Sequence, residues 1–193
     1  GNMGKNHARV FNDIGCLKAV VEPNFDKRKS LKNLYPNVDI VDSIDLADAD
    51  AYVIATPTTQ HYDLAKKLIS LEKHVLIEKP VCKTVKQASE LLKLANSQPN
   101  CIVAVGHVER FNPVVDYLRE WLEKRDLKTI ETQRLSSLPK RIKDIGVFQD
   151  LGIHDIDVVL SLVNSPVKSV YALSSIKDSQ DLYTKASIKF ENG

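Results

Sequence analysis

Long hydrophobic runs are missing from this chain. Runs such as Tyr52-Val53-Ile54-Ala55 span only a few residues, far short of the roughly 20 that a membrane-crossing helix needs. An excess of one charge is missing too. Lys+Arg number 27 against Asp+Glu 25, a net +2, which excludes a nucleic-acid binder driven by a clustered basic excess. Cysteine is scarce: Cys16, Cys82 and Cys101 are odd in number and fall at no zinc or redox spacing. They read as three small buried hydrophobes in a reducing compartment. The opening residues show no basic-then-apolar leader, so the expectation is a cytoplasmic protein. Repeats and low-complexity segments are absent. Core material, by contrast, is ample. Hydrophobic residues make up 43% of 193 positions, enough for one large domain or two small ones and too much for a disordered chain.

The first half alternates short β-rich runs with helical patterns. Strands are expected at 17–21, 38–41, 51–56, 74–77 and 101–105, separated by helices at 26–34, 61–72 and from Thr84 through Ala95. Apolar strands joined by roughly 10–15-residue helices are the pattern of parallel βαβ units. Right-handed crossovers then make a doubly wound parallel sheet. After Gly106 the texture changes. Pro113 opens a helix to about Lys124, with Val114, Val115, Tyr117, Leu118 and Trp121 on its inner face. A strand is expected over 128–136, a helix over 150–163, and strands over 167–175 and 182–190. Adjacent late strands point to an antiparallel sheet. The boundary falls at 106–112, giving a dinucleotide-binding domain at 1–107 and a second, substrate-binding and oligomerisation domain at 108–193. Val170, Ala172, Leu173, Ile176, Ala186 and Ile188 offer more apolar strand positions than one helix can cover, which points to a subunit interface.

Gly1-Asn2-Met3-Gly4 is the second half of a dinucleotide fingerprint, in which glycines let backbone approach a pyrophosphate and free helix N–H groups bind it. Two glycines at this spacing are a weak signal. Glu22 strengthens it, standing at the end of the following strand near the offset of about 20 residues that the fingerprint uses. A carboxylate there binds ribose hydroxyls and repels a 2′-phosphate, so NAD is expected over NADP; the next residue is Pro23, not an arginine. A solvated turn glutamate is the other reading. Thr56-Pro57 and Glu78-Lys79-Pro80 end buried strands, the side on which ligands lie in an open α/β sheet. Lys79 is therefore a candidate for chemistry, with a surface lysine as its rival. His61 and His74 read as helix-end residues, and His107 is intermediate. Asp150 and His154 are four apart and would share a helix face. A carboxylate beside an imidazole sets a general base near neutral pH. An acidic helix cap next to a histidine is the alternative, and metal binding is weaker because a single histidine is present.

Taken together, Gly-Asn-Met-Gly-x-x-His, Ala55-Thr56-Pro57, Glu78-Lys79-Pro80, the run from Gly106 to Pro113 and Asp150-x-x-x-His154 resemble the glucose–fructose oxidoreductase/inositol dehydrogenase family. The run 106–113 and Asp150-Leu-Gly-Ile-His-Asp-Ile-Asp157 most resemble members that act on UDP-N-acetylhexosamines. The resemblance implies a Rossmann domain followed by an α/β domain with an open, mostly antiparallel sheet. It implies NAD as cofactor and hydride transfer from a sugar or nucleotide-sugar substrate, with no metal. It also implies a cis Lys79–Pro80 bond and a homo-oligomer, dimer or tetramer, formed through the second sheet. Carried over, the cofactor-binding set is Gly1, Asn2, Met3, Gly4, Glu22, Thr56, Pro57, His61, Glu78 and Lys79. The catalytic set is Lys79, Asp150 and His154, with His154 as base, Asp150 orienting the imidazole or the hydroxyl, and Lys79 stabilising developing alkoxide; Arg110 and Asn112 join them at the substrate. A cyclitol or simple-sugar dehydrogenase is the neighbouring reading, and a non-catalytic NAD or sugar-nucleotide sensor the reading of another class. The chain opens inside the glycine motif and ends at Phe190-Glu191-Asn192-Gly193, so the expectation is a piece of a longer protein.

Overall fold

The computed structural model describes residues 1–123, 125, 127–136, 145–177 and 180–193. The chain forms two compact units, Gly1–Glu78 with Thr84–Ala104, and Lys79–Lys83 with Val105–Gly193. The units are not consecutive halves. Lys79–Lys83 fall in the second because their partners lie there: Lys79 bonds Asp150, and the Lys83 carbonyl accepts from Gln149 Nε2.

The first unit is built of α1 (Asn2–Asp13), β1 (Ala19–Val21), α2 (Phe25–Leu34), β2 (Asp39–Val41), β3 (Ala51–Ile54), α3 (Thr58–Ser70), β4 (His74–Ile77), α4 (Val85–Asn96) and β5 (Val103–Val105). β1 and β2 pair in parallel with Ala19 opposite Asp39. β3 and β4 pair in parallel with Ala51 opposite His74, and β5 adjoins β4. These are the parallel βαβ units that the alternating pattern predicts. Side-chain caps start the helices where the sequence supplies them: Asn24 Oδ1 accepts from the Lys27 amide and Thr84 Oγ1 from the Gln87 amide, each satisfying an amide with no partner inside the helix. α3 begins three residues earlier than its apolar periodicity implies, directly after Pro57. The core is apolar: Ala65, Leu68 and Ile69 of α3 are buried, as are Ile54, Val75 and Ile77 of the strands and Leu91 of α4.

The second unit holds α5 (Pro113–Leu122), a π-helical turn at Phe148–Gly152 running into α6 (Ile153–Leu162), and β6 (Val167–Lys177) paired antiparallel with β7 (Gln180–Phe190). A 3-10 turn, Val108–Phe111, precedes α5. The expected end of α5 at Lys124 lies outside the described residues. Its expected inner face is too broad. Val115 is buried, but Val114 and Tyr117 are exposed, since α5 packs on one side only, against α6 and the 3-10 turn. The strand expected over 128–136 does not form; among the described residues β6 and β7 pair only with each other. Cysteine burial also departs from expectation, with Cys82 buried, Cys101 partly so and Cys16 exposed. Cys16 follows the Gly15 turn that ends α1 rather than a strand. Among the described residues no helix is long and apolar enough to cross a membrane.

Candidate active site

In the first unit, Gly1 to Gly4 open α1 with no side-chain cap and no acidic residue in the first turn. The amides of that turn therefore lack intrahelical acceptors and sit at the positive end of the helix dipole. A Cβ at Gly4 would meet the Ala55 Cβ at 3.7 Å, an ordinary contact, which places the helix start beside the end of β3. Glu22 directly follows β1; its Oε1 accepts from the Asn24 amide at 3.0 Å. An uncapped helix start together with a fixed carboxylate at a strand end suits a dinucleotide: the pyrophosphate on the free amides, the ribose hydroxyls on Glu22. Thr56 and Pro57 lie between β3 and α3. His61 is 1% exposed and its Nε2 lies 3.0 Å from the Thr56 carbonyl. A carbonyl only accepts, so Nε2 carries the proton, and His61 braces that loop from beneath instead of presenting its ring at the surface. Glu78 is 5% exposed and bonds His7 Nε2 at 2.7 Å. His7 escaped the sequence analysis as a partner, although it lies one turn after Gly4 on the same helix face.

The second unit gathers Lys79, Asp150 and His154. The Lys79–Pro80 bond is cis, as the resemblance implies. Lys79 Nζ donates to the Asp150 carboxylate at 2.9 Å and to the Asp150 carbonyl at 2.8 Å. Asp150 is buried within the π-helical turn, a distortion frequent at functional sites. The start of that turn is fixed by Asp181 of β7, whose carboxylate accepts from the Phe148 amide. Gly146 leaves room for that carboxylate: a Cβ would stand 1.4 Å from Asp181 Oδ1 and would have to push it aside.

The expected pairing of Asp150 with His154 is not made. Asp150 instead holds the Lys79 ammonium. His154 Nδ1 is buried without a hydrogen-bond partner. Burial, and then the positive charges of Lys79 and Arg134, hold the imidazole pKa below its ordinary value, against smaller opposing effects of Glu109 and Asp150. The ring is neutral at neutral pH and able to accept a proton.

Arg110 and Asn112 are engaged in holding the unit together. Arg110 grips the buried Asp157 carboxylate with two bonds, at 2.8 and 2.7 Å. Asn112 caps α5 through the Val114 amide and donates to Glu109. His107 Nδ1 lies 3.8 Å from Asp157 without a hydrogen bond. Arg134, which no motif singles out, bonds Asp155 at 2.9 Å and lies 3.8 Å from Glu109. No group of three His, Cys, Asp or Glu among the described residues could hold a metal ion. One titration follows from this geometry. The His154 ring, followed by NMR, protonates below the usual value of about 6.5, and Lys79→Met moves that pKa upward by removing a repelling cation. A His154 pKa that stays unchanged in Lys79→Met would break the link between the two.

Residues 1–107 match the model of an oxidoreductase family with an NAD-binding Rossmann fold, Gfo/Idh/MocA. The UDP-N-acetylglucosamine 3-dehydrogenase of Acidithiobacillus ferrooxidans is 30% identical over 191 residues, 95% of this chain and 59% of the relative. Its solved structure, GnnA, matches all of this chain and 62% of its own with a TM-score of 0.88. An inositol 2-dehydrogenase from Rhizobium meliloti is 27% identical over 91% of this chain and 56% of its own. The WlbA dehydrogenase of Bordetella pertussis, solved with NADH and UDP-GlcNAcA, shares the fold at 21% identity and a TM-score of 0.82, over 100% of this chain and 62% of its own. The chain thus spans about six-tenths of the length of such relatives. With its parallel βαβ units, uncapped glycine helix and Glu78-Lys79-Pro80 segment, it belongs to the Gfo/Idh/MocA oxidoreductase family and carries that family's NAD-binding Rossmann domain.

Proposed function

We propose that this chain serves an NAD(H)-dependent dehydrogenase that oxidises a sugar hydroxyl to a ketone on a UDP-N-acetylhexosamine. The observation that carries the reading is Lys79 held by Asp150 at 2.9 Å, with a half-buried His154 whose pKa is kept below its ordinary value by burial and then by the Lys79 charge. Gly1 to Gly4 and Glu22, with Thr56, Pro57 and Glu78, take the dinucleotide; Lys79, Asp150 and His154 act on the sugar. His154 accepts the hydroxyl proton. Its Nδ1 is shut away from solvent, leaving Nε2 as the nitrogen that meets a ligand. A lysine ammonium offers only donors, so Lys79 donates to the reacting oxygen and stabilises alkoxide character as the proton leaves. Asp150 holds that ammonium in place. The nicotinamide, when bound, supplies the hydride acceptor.

The substrate class rests on the likeness to the Acidithiobacillus enzyme in both sequence and structure. A cyclitol substrate is the second reading, favoured by the inositol 2-dehydrogenase relatives. Screening NAD reduction with UDP-N-acetylglucosamine beside myo-inositol and glucose separates them. Turnover of the nucleotide sugar supports the first reading, and turnover of myo-inositol alone the second. No turnover of any sugar, with NAD still bound, returns the sensor reading. On the active substrate His154→Ala should lower kcat by about 10²–10⁴-fold, the usual worth of a positioned base, with NAD affinity nearly intact. Near wild-type turnover would remove His154 from the chemistry.

The second sheet is the proposed subunit interface. Val170 of β6 is 62% exposed and shares a face with exposed Ala172 and, across the pair, with exposed Ala186 and half-buried Ile188. Leu173, 58% exposed, falls on the other face, and Ile176, 70% exposed, follows a register shift. An apolar ribbon of this kind is what a symmetric dimer or tetramer covers. Light scattering should show a dimer or larger species that dissociates in Val170→Lys; a wild-type monomer would count against the interface.

A further inference from the structure

We propose that Arg28 is a positioning residue for dinucleotide choice: its guanidinium clamps the turn that carries Glu22 and so enforces preference for NAD over NADP. The inference rests on reading Glu22 as the ribose-binding carboxylate. The turn is only Glu22-Pro23-Asn24, joining β1 to α2. The Glu22 amide still donates to the Val41 carbonyl at 2.9 Å, continuing the parallel pairing of β1 with β2. Beyond that the turn has few handles of its own. Pro23 has no amide hydrogen, and Asn24 is spent capping α2. Two carbonyls remain, those of Glu22 and Pro23. Both accept from Arg28 NH1, at 3.0 and 2.7 Å.

Arg28 is itself well fixed. Its amide donates to Asn24 O at 3.0 Å, its guanidinium lies over the Phe25 ring, and its NH2 stands 3.7 Å from the Asp42 carboxylate just after β2. The side chain is half-buried at 21% exposure. A guanidinium never gives up its charge at ordinary pH, and charge-assisted bonds are roughly twice as strong as neutral ones. One residue therefore staples both carbonyls of the turn, and the Glu22 carboxylate, bonded to the Asn24 amide, inherits that fixed orientation. With NH1 on two carbonyls and NH2 toward Asp42, the guanidinium is committed to the protein rather than to a 2′-phosphate. Discrimination then comes from a carboxylate held where a 2′-phosphate would have to sit.

The test measures dissociation constants for NADH and NADPH, from the fluorescence of the bound nicotinamide, on wild type, Arg28→Ala, Arg28→Lys, Glu22→Gln and the double variant. Arg28→Ala should weaken NADH about ten-fold and leave NADPH unchanged or tighter, so that the NADH/NADPH preference falls. Arg28→Lys, with a point charge in place of a fork, should fall between. In the Glu22→Gln background Arg28→Ala should change the preference no further. Equal weakening of both cofactors would mean a merely structural role and overturn the clamp. Greater weakening of NADPH would mean direct phosphate contact and also overturn it. If Glu22→Gln shifts the preference and Arg28→Ala does not, the clamp alone fails. If Glu22→Gln leaves the preference unchanged, the reading of Glu22 fails and the clamp with it. Should Arg28→Ala not fold, Arg28→Lys carries the same comparison.

Discussion

The arrangement depends most on one ion pair, Lys79 with Asp150. Their side chains are 17% and 13% exposed, so both charges have left most of their water, at a desolvation cost that can match the attraction gained. Such a pair is a poor source of stability. Its worth lies in what it fixes: an ammonium at a defined point, bonded to both the carboxylate and the carbonyl of one residue. Much of the surrounding second unit serves that placement. The π turn sets Asp150, Asp181 anchors the start of the turn, Gly146 leaves room for the Asp181 carboxylate, and Gln149 ties the turn to the Lys83 carbonyl. Burial, and then the same ammonium, hold the His154 pKa below its ordinary value. In the proposed chemistry a cation that stabilises an alkoxide and a base that removes its proton are complementary needs, and the first helps to set the second.

The first unit works through backbone and polar anchoring. An uncapped helix start, a braced loop after β3 and a short turn after β1 each present groups whose positions are set from beneath: Thr56 by His61, Glu78 by His7, Glu22 by Asn24 and Arg28. Glu78 and Lys79 are consecutive residues anchored in different units, the first on His7 and the second on Asp150.

The sequence carried the βαβ architecture plainly, because buried parallel strands leave apolar runs and the intervening helices leave a 3.6-residue period. β4 is found at the residues expected, and Thr84 caps α4 as its position before Val85 implies. Lys79, Asp150 and His154 could be picked out through their motifs as candidates, but which of them pair could not. Spacing of four argued for Asp150 with His154, and nothing in that spacing announced that Lys79, 71 residues away, would take the carboxylate. Arg134 and Arg28 were missed for a related reason. Each is a lone arginine in a segment with no motif, and its importance appears only when its partners, Asp155 and Glu109 for one and two backbone carbonyls for the other, are brought beside it. The strand expected over 128–136 failed because alternation describes a face and not a partner.

The most direct test of the account is a double-mutant cycle on the ion pair, read in kcat on the turned-over sugar. Lys79→Met and Asp150→Asn are each made alone and then together, with thermal unfolding as a check on folding. If the two side chains act as one device, each single change lowers kcat, Lys79→Met by about 10²–10³-fold as for loss of an oxyanion donor. The double variant is then no slower than Lys79→Met, since Asp150 has nothing left to hold. Losses that multiply in the double variant would show that Asp150 and Lys79 act separately, and would contradict the claim that their pairing organises the site.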